Sequence, residues 1–360
     1  MNLNTIFLKS FRILFFPFSV IYGLVIIIRN FLYNKNILKS SAFNFPLICV
    51  GNLSAGGTGK SPMVEYLVQL LKDEFKVATV SRGYKRKTKG YVLANENTTA
   101  LEIGDEPMQF HLKFPDVPVA VGEERIVAIP QLLHDKPDTQ AIILDDAFQH
   151  RSIKPGFNIL LTAYNDLYTD DFFLPTGDLR DSKSSAKRAQ VIVITKCPDD
   201  LSEEEQKTII EKINPEEDQQ VYFTTIEYSM PYHITTHQPK NISAADEVLL
   251  VCGIANPRPL KKFLQSHTSS YTMITYSDHH IFTIDDIRDI TRKFDAIKSS
   301  GKYILTTEKD AVRLLKFAGQ LNDLPMYVIP VRHRFLSGAD IPFNEAVQTF
   351  IRNFNQIQPS

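Results

Sequence analysis

The sequence predicts an α/β fold: an α/β/α sandwich, a second and smaller α/β unit after it, and an apolar helix in front. Three observations carry this. An apolar run over 45–50 leads into Gly51-Asn52-Leu53-Ser54-Ala55-Gly56-Gly57-Thr58-Gly59-Lys60-Ser61 and then a helical pattern over 63–72; strand, glycine-rich turn and helix in that order bind phosphate. From 45 onwards short apolar runs alternate with helical stretches, the pattern of a mostly parallel sheet. A polar segment over 237–245 interrupts the alternation, which starts again at 247.

The loop makes the first unit P-loop NTPase-like. In it the small residues Ser54, Ala55, Gly56, Gly57, Thr58 and Gly59 let backbone N–H groups converge on phosphate oxygens, Lys60 brings a mobile cation, and the Ser61 hydroxyl suits Mg²⁺. Ser54 stands where the generic pattern has glycine, which leaves an ordinary glycine-rich turn as the competing reading. A nucleoside triphosphate is the expected ligand.

Composition excludes several classes. The chain has 360 residues with 40 Lys+Arg against 41 Asp+Glu, so no global basic field points to nucleic acid. Its three cysteines, Cys49, Cys197 and Cys252, show no metal-ligand spacing and read as buried thiols of a reducing compartment.

In front, residues 13–28 are almost wholly apolar, with Lys9 and Arg12 before them and Arg29, Lys35 and Lys39 after. The run is shorter than the ~20 residues that span a bilayer comfortably, and Pro17 and Gly23 interrupt it. A helix lying in the interface, with basic flanks on anionic headgroups, is the expectation. A signal peptide is disfavoured because no small-residue cleavage site follows Ile28; a buried or spanning helix stays open.

Strands are expected over 77–80, 118–121, 141–144, 157–161 and 190–195. The first opens into Ser81-Arg82-Gly83-Tyr84 with Lys85, Arg86 and Lys87, a solvated loop or an anion site at the carboxyl edge of the sheet. Gly104-Asp105-Glu106-Pro107 precedes a helical stretch and by spacing reads as capping. The strand over 141–144 ends on Asp145-Asp146, where a P-loop enzyme places its second Mg²⁺ contact. The segment over 174–181 is a turn-rich loop. Thr195-Lys196-Cys197-Pro198 resembles a guanine-reading tetrapeptide without its aspartate, so guanine specificity is unsupported.

Extended chain over 221–232 leaves the first unit. Strands over 247–252, 271–276, 303–307 and 326–331 and helices over 260–266 and 284–299 build the second, and a helix over 343–354 is placed to return to the first. Ser277-Asp278-His279-His280 follows a strand directly. Its readings are an ordinary surface hydrogen bond, a metal pair with no zinc set to complete it, or an acid–base role across a cleft between the units.

Together these motifs resemble the tetraacyldisaccharide 4'-kinase family, the lipid A kinases of Gram-negative bacteria, from Arg12 to about Arg334. The residues that carry it are Gly51-Asn52 with Gly56 to Pro62, Ser81 to Tyr84, Gly104 to Pro107, Leu144-Asp145-Asp146 with Phe148-Gln149-His150, Asp278-His279-His280, and Thr307-Glu308-Lys309-Asp310. The family's loop itself begins Gly-Asn, which accounts for Ser54. Ala147 replaces the family's usual glycine and Ser61 its commoner threonine.

The resemblance implies two α/β/α domains on a two-stranded linker: a membrane-associated helix over 1–35, a kinase domain over 36–230 completed by the helix over 338–360, and a second domain over 231–337. It implies transfer of the ATP γ-phosphoryl group to the 4'-hydroxyl of a tetraacyldisaccharide 1-phosphate. Lys60 and the loop would hold ATP, Ser61 with Asp145 or Asp146 would hold Mg²⁺, and Asp105 would take the proton, paired with His279. Arg82, Glu106, Arg125, Gln149, His150, Arg180 and Asp181 would meet the acceptor or the transferring phosphate. The implied partners are this acylated glucosamine disaccharide and the cytoplasmic face of the inner membrane, with no nucleic acid and no obligate protein partner. The alternative is a membrane-tethered switch that hydrolyses nucleotide to change its partners; a soluble small-molecule kinase fits the apolar N-terminus poorly.

Overall fold

The computed structural model describes residues 12–356. Lys9 of the basic flank and residues 357–360 of the expected C-terminal segment lie outside the described residues.

The larger sheet has nine strands, in the order Val331–Phe335, Gln220–Tyr228, Val191–Thr195, Phe157–Ala163, Leu47–Asn52, Ala141–Asp145, Val77–Ser81, Val119–Val121 and Val92–Leu93. Its two edge strands run antiparallel to their neighbours and the rest are parallel. The central Leu47–Asn52 is buried along its whole length, as a continuous apolar run covered on both faces must be. From it the chain moves to Val77–Ser81 and Val119–Val121, returns beside it as Ala141–Asp145, then crosses to Phe157–Ala163 on its other side. That reversal is a topological switch point, and the carboxyl ends of the strands beside it form a ligand-binding crevice.

Helices cover both faces. Ala128, Ile129 and Leu132 of Arg125–Asp135 pack on one; Met63, Leu67 and Leu71 of Lys60–Leu71 pack on the other together with Phe343, Val347 and Ile351 of the C-terminal helix Asp340–Gln356. The i, i+4, i+8 spacing of the last three gives that helix one apolar stripe.

The smaller sheet has five strands, ordered Tyr232–His233, Met326–Ile329, Lys302–Thr307, Glu247–Cys252 and Ser270–Thr275. Helix Ile284–Asp295 seats Ile287, Ile290 and Phe294 on one face, and Arg258–His267 seats Leu260 and Leu264 on the other. The helix expected over 284–299 therefore stops early, at Asp295. Two adjacent stretches join the sheets: Gln220–Tyr228 runs through Pro231 into Tyr232–His233, and Met326–Ile329 runs through Pro330 into Val331–Phe335, paired antiparallel on both sides. A proline in each stretch removes a donor where one sheet gives way to the other.

The N-terminal helix spans Phe16–Asn34, beyond the apolar run, because Pro17 falls in its first turn, where the missing N–H costs nothing. Gly23 does not interrupt it: a Cβ there would come within 2.7 Å of the Phe173 ring, so glycine sets how closely the helix sits on the body. A polar seam completes the seat. Arg12 binds Asp178 at 2.8 Å, Ser19 donates to Thr176 at 2.7 Å, Tyr22 donates to the Arg180 carbonyl at 3.1 Å, and Asn30 donates to Asp181 at 2.6 Å. The other faces expose Phe18, Ile21, Leu24, Val25, Ile28 and Phe31, and the turn Ile13–Phe15 in front of the helix exposes Ile13 and Leu14.

Candidate active site

The phosphate loop is braced from behind. Gly56 and Gly59 hold φ of +125° and +87°, a region costly for any other residue here. Thr195 Oγ1 donates to the Thr58 carbonyl at 2.8 Å, Lys196 to the Gly57 carbonyl, and His333 Nε2 to the Gly59 carbonyl at 2.8 Å. Burial, with Lys196 beside it, pulls the His333 pKa down to about 4. The ring is thus neutral, with Nε2 carrying the proton and Nδ1 accepting from Thr224 at 3.0 Å. Ser54 needs no glycine because it is extended, bridged to Leu179, while Ala55 N–H donates to the Asp178 carbonyl and Arg180 N–H to that of Leu53 at 2.8 Å. The helix starts at Lys60, so its first N–H groups have no intrahelical acceptor and face the loop.

Two carboxylates stand at the adjoining strand end in different states. Asp146, with φ +48°, is 3.6 Å from Lys60 and 3.0 Å from Arg180. Although burial opposes it, Lys60 and Arg180 hold its carboxyl below the usual value. Asp145 is buried, and among the described residues its Oδ1 has no hydrogen-bond partner. Burial first and Asp146 second push it up to about 7, with Glu106 adding to the negative field. Arg125, also buried, donates to the carbonyls of Gly122 at 3.2 Å and Asp145 at 3.4 Å.

Asp105 begins helix Asp105–Lys113 behind Gly104. The spacing reads as capping, but the carboxylate turns away from its own helix: Oδ2 accepts from His279 Nδ1 at 2.9 Å and lies 3.7 Å from Arg313. His279 and Arg313 belong to the smaller-sheet unit, so this contact joins the two halves. On the far side of the ring, Lys309 is 3.2 Å from His279 Nε2 and 3.4 Å from Glu106, and Asp278 is 3.8 Å from the same nitrogen. His280 turns instead to Asp286 at 3.0 Å, so the paired histidines diverge and form no metal pair.

A cationic wall continues from Arg125. Gln149 donates to the Asn52 carbonyl, and its own carbonyl accepts from Arg29 of the N-terminal helix at 2.9 Å. His150 is pushed down to about 4 by burial and then by Arg125, Arg82 and Arg29, while Arg82 is exposed. Asp181 faces the other way. It is 1% exposed and spent on Asn30, Ser185 and Arg188. Its place is in the seat of the N-terminal helix. Sequence reasoning gave no role to Asn52, Lys309, Arg313, Lys196 or His333; Asn52 and Lys309 lie inside quoted motifs, whereas His333 carries no local signal.

The model of the family described as tetraacyldisaccharide-1-P 4'-kinase matches residues 11–352. The chain belongs to this family. It is 48% identical to a tetraacyldisaccharide 4'-kinase of Flavobacterium johnsoniae, over 91% of this chain and 93% of that one, and 41% identical to one of Bacteroides thetaiotaomicron, over 94% and 92%. A crystal structure of LpxK from Aquifex aeolicus in complex with ATP is similar with a TM-score of 0.74 at 27% identity, over 95% of this chain and 99% of that one. Membership fits the loop, the strand-end carboxylates and the α/β layers around both sheets.

The residues present suit the Mg²⁺ that kinases of this kind use. Asp145 offers a buried oxygen without a hydrogen-bond partner, and Ser61 stands in the first turn of the loop helix. Among the described residues no group of three or more His, Cys, Asp or Glu forms a metal cage. Mg²⁺ takes one or two protein oxygens and completes its shell with phosphates and water.

Proposed function

We propose that the protein is an ATP-dependent kinase that phosphorylates the 4'-hydroxyl of a tetraacyldisaccharide 1-phosphate, the lipid A precursor, at a membrane surface. The observation that carries the reading is the Asp105–His279 pair, made across the two units, beside a phosphate-binding loop.

In this reading Lys60 and the N–H groups of 56–61 hold the β- and γ-phosphates, the Ala55 N–H being taken by the Asp178 carbonyl, with Lys60 kept in place by Asp146 and Asn52. Asp145 and Ser61 would hold Mg²⁺, which would supply neutralisation of phosphate charge. The acceptor's 4'-oxygen attacks the γ-phosphorus, the bond to the β-bridging oxygen breaks to release ADP, and the hydroxyl proton passes to Asp105. The His279 Nδ1–H orients the Asp105 carboxylate, and Lys309 fixes the ring from Nε2. Arg125 and Arg180 face the transferring phosphate, where charge neutralisation and in-line positioning supply most of the acceleration. Arg82, Glu106, Gln149 and His150 line the acceptor side.

The N-terminal helix supplies the surface. It is long and apolar enough to cross a membrane, but its polar seam is bound to the body from Arg12 to Asn34. A helix seated along its length on a polar body fits the interface better than a span. Arg29 links it to Gln149, so the acceptor side of the site opens next to the lipid, on the cytoplasmic face where ATP is available.

The test is transfer of γ-labelled phosphate from Mg-ATP to detergent-dispersed tetraacyldisaccharide 1-phosphate. The parent protein is expected to label the lipid and Asp105→Ala to retain nucleotide binding while losing at least 100-fold in turnover. Unlabelled lipid despite nucleotide binding would reject the kinase and favour the switch.

A further inference from the structure

Away from the site, a buried charge cluster ties three elements together. Lys113 ends the helix that Asp105 begins, and its ammonium is 2.6 Å from both Glu65 and Glu308. Glu65 lies on the loop helix, one turn and a half beyond Lys60, and also accepts from Gln109 at 2.6 Å. Glu308 begins helix Glu308–Leu314 of the smaller-sheet unit, and its second oxygen accepts from the N–H of Val331, the first residue of the returning strand, at 3.1 Å. Both carboxylates are buried.

Helix Glu308–Leu314 lies along Asp105–Lys113 with its charges meeting at both ends. Arg313, in the last turn of Glu308–Leu314, reaches Asp105 at the start of the other helix, while Glu308, the first residue of Glu308–Leu314, reaches Lys113 at the other helix's end and the adjoining Lys309 reaches Glu106. Two ends fix the direction of one helix against another, whereas a single end leaves a pivot. The end at Asp105 holds the reacting groups, so the end at Lys113 sets the angle at which His279 meets them. Through Glu65 the same ammonium fixes the donor-binding helix against the base helix.

We infer that Lys113 is a positioning residue for the transfer reaction: by binding Glu65 and Glu308 together, it holds the smaller unit closed so that His279 stays against Asp105. A filler role would not need two carboxylates converging on one ammonium. Burial first and Glu308 second push Glu65 up to about 7. Lys113, in spite of its burial, is held above its ordinary value by both acids. Without the ammonium the acids repel, and opening the interface lets Glu308 regain water.

The inference rests on the kinase reading, so its test has one arm that does not. In the transfer assay, Lys113→Met is expected to lower kcat at least tenfold with KM for ATP within threefold. Lys113→Arg should recover much of the loss, and adding Glu308→Gln to Lys113→Met should recover part by removing the repulsion. Independently of catalysis, hydrogen exchange with a non-hydrolysable ATP analogue bound should be at least tenfold faster over 277–281 in Lys113→Met than in the parent. A kcat within twofold of the parent, or an exchange pattern over 277–281 that is unchanged, overturns the positioning role. If Lys113→Met does not fold, Glu308→Gln decides: at least a threefold loss of kcat at unchanged KM supports the role, and parental kcat overturns it. A parent that labels no lipid defeats the kinase reading alone, and the exchange arm still judges closure.

Discussion

Asp145 and Asp146 are chemically identical neighbours, yet one is neutralised by Lys60 and Arg180 while the other is left buried with an unpartnered oxygen. Asp145 is held up to about 7, chiefly by burial, above an ordinary value near ~3.9. A carboxyl raised on folding destabilises the native state above its unfolded pKa, and the penalty grows between about pH 4 and 7. Removing it is worth on the order of 2–4 kcal/mol, the equivalent of about three pKa units less some relaxation. Asp145→Asn is therefore expected to raise the melting temperature in chelator at pH 8 by several degrees, with the gain vanishing near pH 4, and to abolish Mg²⁺-dependent transfer. Calorimetry across pH checks the sign; equal stability at both ends would refute the unpaired charge. The strand-ending aspartates are legible in the sequence, but their division of labour is not, because it depends on cations brought from positions 60, 125 and 180.

At the scale of the element, the N-terminal helix has one face committed to the protein and the rest exposed. Leu24 and Ile28 are 54% and 57% exposed, so charging them changes little inside the body. Leu24→Asp with Ile28→Asp should cut binding to vesicles of anionic lipid at least tenfold while moving the melting temperature by no more than about two degrees. Flotation beside calorimetry reads both; undiminished vesicle binding would remove the helix from the interface. The sequence exposes the apolar run and its basic flanks at once. It does not show that Ser19, Gly23 and Asn30 form the seated side, since their partners lie over 173–185. Likewise the helix begun by Asp105 is legible, but the capping read from its spacing is not what the carboxylate does: a cross-unit histidine outcompetes the local N–H groups.

For the whole molecule, two paired strands are the mechanical link between the sheets, and their register decides where His279 arrives. Two glycines inserted between Met230 and Pro231 displace one strand by about 6–7 Å against its partner, more than twice the 2.9 Å His279–Asp105 contact. That variant is expected to keep ATP affinity within threefold and to lose at least 100-fold in transfer, read by equilibrium binding beside the labelled-lipid assay. Retained transfer would mean that the units meet without the linker's guidance. By itself the sequence determined the α/β layers, the phosphate loop, the apolar N-terminal run and the order of the motifs, because periodicity, turn glycines and strand-end acids are local properties of the chain. Only the tertiary structure decided which way Asp181 faces, that His279 rather than His280 meets Asp105, that His333 braces Gly59, and that Lys113 joins three elements. Those are contacts between residues many positions apart, and their geometry is set by packing and burial, which no local pattern encodes.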